Sequence, residues 1–232
     1  MGYVKKIVCL ANSRKHSELC FAGKEVLDQG YGDWIRPVSA RKSEGVSVEE
    51  QTLDAGGCPQ LLDVVEVPIL ENKPDGFQQE NHLIDTRQSW KKVGHVGPDQ
   101  LPMLTDYVPN SLWVNDGKKN DRIPAALARQ LTYSLLLIKP ESLIVVVDWN
   151  PNRKGKQTRA QFRFNNEHYD LVVTDTVAES KYENMSTKDF YEKNLEMPRE
   201  YEVVDETYLC VSIADMGGTV YKLVAAIIGD TD

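Results

Sequence analysis

The chain has 232 residues, of which 41% are hydrophobic and 27% charged, and its formal net charge is −8. This composition is typical of a soluble globular protein with one large domain or two small ones. The longest apolar runs, at 135–138 and 143–147, are too short to cross a membrane, and the first fifteen residues lack the apolar core of a signal peptide. We therefore expect a cytoplasmic protein with no membrane partner.

The charge is distributed unevenly along the chain. Residues 43–86 carry 10 anions and 1 cation, and residues 164–232 carry 15 anions and 5 cations, whereas residues 87–163 carry 13 cations and 6 anions. An acidic total can therefore coexist with a basic surface, which is compatible with nucleic acid as a partner. The acidic segments indicate solvated faces or, alternatively, docking sites for a larger protein.

Four cysteines lie at positions 9, 20, 58 and 210, without C-x-x-C spacing. Cys9 and Cys210 lie within apolar runs, which favours reduced core residues. A zinc site could combine Cys9, His16 and Cys20, but this set lacks a fourth ligand and closely paired cysteines. We predict no metal site, and no cofactor either, because the chain has no glycine-rich fingerprint between a strand and a helix.

In chain order, β-strand signals dominate the first half. Apolar runs bounded by turn residues predict strands at 5–11, 20–27, 34–39, 61–70 and 80–85. Residues 28–33 are rich in Gly and Asp and suit a reversing connection. After the strand at 80–85, the chain up to about residue 120 is rich in Pro, Gly and Asn, and we interpret this stretch as long loops with short elements.

The second half begins with a predicted helix at 123–138, where apolar residues recur at helical spacing after Pro124. Strands are predicted at 141–149, 159–165, 168–176, 207–214 and 220–228, and a short helix from Ser186. Meanders with short turns argue against a doubly wound sheet. The chain is therefore predicted to be mainly β with a few helices, in two β-rich halves, 1–118 and 119–232, that each form a closed or partly closed barrel.

Two stretches resemble a known family. They are KKIVCLANSRKHSELCFAGKEV at 5–26, followed by WIRPVS at 34–39, and YLCVSIADMGGTVYKLVAAII at 208–228. With these motifs the chain resembles the dual OB-fold-containing domain family of bacteria and their mobile elements, over nearly its full length. The resemblance implies two tandem OB-like barrels, nucleic-acid binding, a setting in defence or mobile-element systems, and no defined catalytic centre.

The strongest local signal for a binding site is the segment DWNPNRKGKQTRAQFRF at 148–164. Its five cations are Arg153, Lys154, Lys156, Arg159 and Arg163. They could neutralise phosphates, and Trp149, if exposed, could stack on an unpaired base. Phe162 and Phe164 alternate with Arg163 and are expected to face the core. The alternative is a solvated hairpin without a binding role.

A second basic patch is predicted near the N-terminus from Arg14, Lys15, Arg36, Arg41 and Lys42. Within it, Arg14, Lys15 and Arg36 are the candidate phosphate contacts. Arg36 lies between apolar residues on a short strand, where an arginine can snorkel, pair with an acid or bind a phosphate. Asp33 and Glu25 are the expected structural partners, so structural pairing and phosphate binding both remain open.

An enzyme is the weaker interpretation. Asp148, Asp170 and Asp175, with His168 as a base, could hold Mg²⁺ for phosphodiester cleavage, but aspartates at strand ends are common turn residues. The sequence therefore predicts a non-catalytic module that binds single-stranded or structured nucleic acid. The alternative is a protein-interaction subunit that docks a larger effector through its acidic surfaces.

Overall fold

The fold contains two β-sheets that follow each other along the chain. The computed structural model describes residues 2–15, 18–115, 120–151, 154–182, 202–203 and 206–229. The first sheet holds strands β1–β6, which span Tyr3–Lys15, Glu18–Val26, Tyr31–Val38, Asp63–Asn72, Asn81–Ile84 and Lys91–His95. Their order is β1-β2-β3-β5-β4-β6, and β1 also pairs with β4, so that β1–β5 form a closed circuit of pairings.

Strand β1 closes the first barrel because its two halves pair with different neighbours. Residues 3–8 pair with β4, and residues 7–15 pair with β2 across a bulge near Cys9. Both pairings overlap at Ile7 and Val8. Next to them Gly23 faces Cys9, and a Cβ on Gly23 would lie 1.9 Å from the carbonyl oxygen of Val8. Glycine is needed here because a strongly bent strand brings two backbones together.

The second sheet repeats this order. Strands β7–β14 span Arg122–Ile123, Leu135–Ile138, Ser142–Asn150, Gly155–Phe164, Glu167–Val173, Glu202–Val203, Tyr208–Met216 and Thr219–Ile228. The path β9-β10-β11-β14-β13 matches β1-β2-β3-β5-β4, with a parallel β11–β14 pair in place of the parallel β3–β5 pair. β8 pairs with β13 as the first half of β1 pairs with β4. The mainly β fold with two OB-like barrels is therefore confirmed.

The helices are short, and one prediction about them was wrong. The described α-helices α1–α3 span Leu101–Leu104, Ala125–Ala128 and Thr176–Tyr182. Residues 135–138, predicted as the end of a helix, form strand β8, and all four are buried. The helix predicted from Ser186 lies outside the described residues. None of the described helices is long and apolar enough to cross a membrane.

β8 is a strand because both of its faces are covered. Leu136 and Ile138 belong to the core of the second barrel, whereas Leu135 and Leu137 belong to a separate cluster between the barrels. Alternate side chains of a strand point to opposite faces, so a continuous apolar run suits a strand between two apolar layers. Leucines at helical spacing had suggested a helix, but burial on both sides favours the strand.

The two barrels pack through an apolar interface, which we call the inter-barrel cluster. From the first barrel it includes Val8, Leu10, Ala11 and Ala22, and from the second Leu135, Leu137, Tyr208, Cys210, Ala225, Ala226 and Ile228. The first barrel has its own interior of residues such as Phe21 and Trp90, whose rings meet edge to face. Burial of this cluster holds the two barrels against each other.

Candidate nucleic-acid interface

The predicted basic hairpin is formed by β9 and β10. Asn150 pairs with Gly155 at the end of the ladder, which leaves residues 151–154 as the connecting loop. Lys154 is exposed and has a φ of 50°, in the left-handed region. Arg153 lies outside the described residues. In the strand order of the second barrel, this loop joins the first and second barrel strands, a position that OB folds use for oligonucleotide binding.

Trp149 and Lys156 face each other across this hairpin. Val145 and Val147, four and two residues before Trp149, are buried in the barrel core, and Trp149 continues the same row beyond the core with 43% of its surface exposed. Directly opposed residues of an antiparallel pair share a face of the sheet, so the indole and the ammonium group of Lys156 lie on the same side. The hairpin therefore presents an exposed aromatic ring next to a cation.

Arg159 and Arg163 point to the other face of β10. Arg159 donates from Nε to Asp170 Oδ1 at 2.7 Å and from a terminal nitrogen to the Asp170 carbonyl at 2.7 Å. Arg163 lies 3.0 Å from a Glu141 oxygen and donates to Asn166 at 2.8 Å. The structure therefore separates the predicted cations into two groups, and these two arginines are neutralised by carboxylates.

The aromatic residues of β10 hold the hairpin on the barrel. Phe162 is 3% exposed and stacks on Tyr169 of β11, with ring centroids 5.2 Å apart. Phe164 is partly buried against the same core. The predicted inward orientation of both phenylalanines is confirmed.

Arg14 and Lys15 end β1 at the second barrel. The backbone N–H of Arg14 donates to the Thr174 carbonyl at 2.8 Å, and its guanidinium donates to Glu179 of α3 at 2.6 and 3.2 Å. Arg14 therefore joins the two barrels. The side chain of Lys15 lies outside the described residues.

Arg36 is buried, with 4% of its surface exposed. Its carboxylate neighbour is Glu80, at 3.4 Å, rather than the expected Asp33 or Glu25. β3 and β5 are parallel neighbours, and the N–H of Arg36 donates to the Glu80 carbonyl, which brings these two side chains together. Sequence proximity could not have indicated this pair.

Two cavities lie near these residues. A hairpin cavity of about 530 Å³ is lined by Val147, Lys156, Thr158, Thr176, Glu179 and Ser180. An inter-barrel cavity of about 520 Å³ is lined by Arg14, Arg36 and Gln78 of the first barrel and by Ser212, Asp215 and Leu223 of the second, among others. The Arg14–Glu179 ion pair adjoins both cavities. The sequence offered no signal for the α3 residues, because their position depends on how the barrels pack.

The aspartates considered for a nuclease do not converge. Asp148 pairs in register with Gln157, and Asp170 with Gln161, four residues further along β10. At about 3.3 Å per strand residue, this offset is roughly 13 Å. Asp170 binds Arg159. No group of three potential metal ligands occurs among the described residues.

Asp175 has a structural role at the start of α3. Its carboxylate accepts the N–H groups of Val177, Ala178 and Ile227 at 2.9–3.2 Å. Burial raises the pKa of this carboxyl, although these three hydrogen bonds oppose the rise. Asp175 therefore caps α3 and ties it to β14.

Comparison with known proteins agrees with the strand order. The model of the dual OB-containing domain family matches residues 5–227. The crystal structure of the Ifi202 HINa domain in complex with 20-bp dsDNA aligns with 99% of this chain and 98% of its own, at 11% identity and a TM-score of 0.27, too low a score to inform function. No curated protein gives a significant match. From the match over nearly its whole length, the chain belongs to the dual OB-containing domain family.

Proposed function

We propose that this protein binds nucleic acid at the β9–β10 hairpin of its second barrel. The observation that carries the proposal is the exposed Trp149 directly opposite Lys156, with Lys154 exposed in the adjoining loop. OB folds bind oligonucleotides with this inter-strand loop. Trp149 would stack on a base, and Lys154 and Lys156, together with Arg153 from the sequence, would contact phosphates.

The preferred ligand is single-stranded or locally unpaired. Stacking on an indole requires a free base face, which an intact duplex covers. Arg159 and Arg163 lie on the opposite sheet face and are held by Asp170 and Glu141, so they contribute less to binding than the loop does. Arg14 and Lys15 lie beyond the hairpin cavity, where a longer strand could continue. A role in a defence or mobile-element system belongs to the same proposal, whereas docking of a larger effector protein through the acidic surfaces is the alternative.

The test compares single-stranded and duplex oligonucleotides of about twelve nucleotides by fluorescence anisotropy at low salt. The wild type is expected to bind oligo-dT more tightly than the duplex. The variant K154Q/K156Q is expected to lose most of this affinity, because it removes two phosphate contacts.

The matched control is K6Q/K91Q, which removes the same charge from two exposed lysines of the first barrel that lie outside both predicted basic patches. Its affinity should equal that of the wild type. If the wild type binds no oligonucleotide at low salt but purifies with a stoichiometric protein partner, the protein-interaction alternative replaces this proposal.

A further inference from the structure

The inter-barrel cavity has the features of a small ligand site between the two barrels. Its volume of about 520 Å³ lies within the range of small-molecule pockets. Apolar residues such as Ile213, Met216 and Leu223 line it together with the polar side chains of Gln78 and Ser212. Mixed walls of this kind suit a planar group with apolar faces and a polar edge.

Arg36 is the unexplained group in this cavity. It lines the cavity, and only 4% of its surface is exposed. Among the described residues its guanidinium makes one ion contact, at 3.4 Å to Glu80, and no hydrogen bond, and its Nε is buried without a partner. An arginine has five N–H donors, and buried donors without acceptors are rare in native proteins. The Oε2 atom of Glu80 is also buried without a partner, so the two side chains do not fully satisfy each other, and the guanidinium keeps donors for a ligand in the cavity.

The charges around the cavity favour a neutral acceptor over a phosphate. Arg36 lies beside Glu80, and Arg14 is paired with Glu179. Asp215, which also lines the cavity, adds a further negative charge. A phosphate would be repelled by these carboxylates, whereas a neutral base with two adjacent acceptors could take a forked arginine contact.

We propose that the inter-barrel cavity binds one unpaired guanine base, whose O6 and N7 accept hydrogen bonds from Arg36. This edge is the one that arginine recognises most often in nucleic acids. The inference rests on the proposed function, since it assigns a base preference to the same bound strand. The strand would run from the hairpin past the Arg14–Glu179 ion pair to the cavity, because that pair adjoins both cavities.

The test measures the affinity of the full chain for oligo-dT of about twelve nucleotides and for the same oligonucleotide with one central guanine. One good bidentate contact predicts about tenfold tighter binding of the guanine oligonucleotide. Arg36→Lys keeps a positive charge beside Glu80 but removes the fork, and should abolish the preference for the guanine oligonucleotide. Ser212→Leu, which fills the cavity from the second barrel, should do the same.

Free guanosine and 7-deazaguanosine, which lacks the N7 acceptor, provide a second arm. Guanosine should raise the melting temperature of the wild type, and 7-deazaguanosine and the Arg36→Lys variant should show no such shift. Equal binding of the two oligonucleotides overturns the guanine site but leaves the hairpin proposal intact. A preference retained in Arg36→Lys, or a preference for cytosine, also overturns it. If no oligonucleotide binds, the hairpin proposal fails, and the melting-temperature shift with guanosine then decides whether the cavity binds guanine.

Discussion

Trp149 is exposed although it continues a row of buried β9 side chains. Its indole lies beyond the barrel core, opposite Lys156, and 43% of its surface is exposed. In the proposed function this exposed ring stacks on a base.

We predict that Trp149→Ala weakens binding of single-stranded oligonucleotide by about 1–3 kcal/mol, which is the range for loss of one stacked base. The salt dependence should stay unchanged, because no charge is lost. Fluorescence anisotropy at two salt concentrations measures both quantities. Tyr107→Ala is the control, since Tyr107 is 91% exposed and lies outside the hairpin. Equal losses in both variants would show that the effect is not specific to Trp149.

For single residues, the sequence predicted which face of a strand a side chain occupies better than it predicted which residues form ion pairs. The alternation around Arg163 correctly placed Phe162 and Phe164. In contrast, the partners of Arg14 and Arg36 are Glu179 and Glu80, which lie far away along the chain. Local pattern fixes which side of a strand a residue occupies, whereas ion pairs depend on the packing of whole elements.

Asp106 connects three elements where the chain passes between the barrels. Its carboxylate accepts hydrogen bonds from Lys24 of β2 at 2.6 Å, from the Trp34 indole of β3 at 2.9 Å and from the Leu137 N–H of β8 at 2.7 Å. The backbone N–H of Asp106 donates in turn to the Leu137 carbonyl. This residue therefore fixes β8 against the first barrel.

We predict that Asp106→Asn lowers the free energy of unfolding by about 2 kcal/mol, since the amide cannot satisfy all three donors and leaves Lys24 without its counter-charge. Urea denaturation measures the loss. The exposed Asp99 provides the control, and Asp99→Asn should change the free energy by less than about 0.5 kcal/mol. An unchanged midpoint in Asp106→Asn would show that the connection does not depend on this carboxylate.

Asp63, at the start of β4, is expected to contribute to the free energy of unfolding in a way that is lost in acid. Burial opposes ionisation of this carboxyl, but hydrogen bonds from Lys92, the Gln60 N–H and His95 outweigh burial and lower its pKa. A carboxyl with a lowered pKa stabilises the folded state above its unfolded pKa of about 3.9. The contribution is lost as the pH falls through the lower, folded-state pKa.

We therefore expect the wild type to lose more stability than Asp63→Asn between about pH 5 and pH 2, because the asparagine variant has no carboxyl to protonate there. Urea titrations at several pH values give the two curves. Parallel curves would contradict the assigned role of Asp63.

Most strands could be predicted from the sequence, whereas the pairing between strands could not. Alternation and apolar runs indicated most of the strands of both sheets. Residues 135–138 were misassigned because leucines at helical spacing also suit a strand that is buried on both faces. The pairing of β8 with β13, about 70 residues later in the chain, has no local signal.

The whole molecule combines two OB-like barrels with an apolar interface and two cavities beside it. The family motifs and the β-rich halves predicted the two barrels, and the proposed boundary near residue 118 remains a prediction. The regional charge indicated a basic surface. The proposal places the candidate surface at Trp149, Lys154 and Lys156, on and beside one face of the hairpin. The described arginines of the predicted set lie beside carboxylates.

The salt dependence of oligonucleotide binding tests this account most directly. The slope of the logarithm of affinity against the logarithm of salt concentration, between about 50 and 200 mM, counts the phosphates that the protein neutralises. We predict a steep negative slope for oligo-dT with the wild type, and a slope shallower by about two in K154Q/K156Q. A wild-type slope that is unchanged in this variant, or the absence of binding at low salt, would contradict binding at the hairpin.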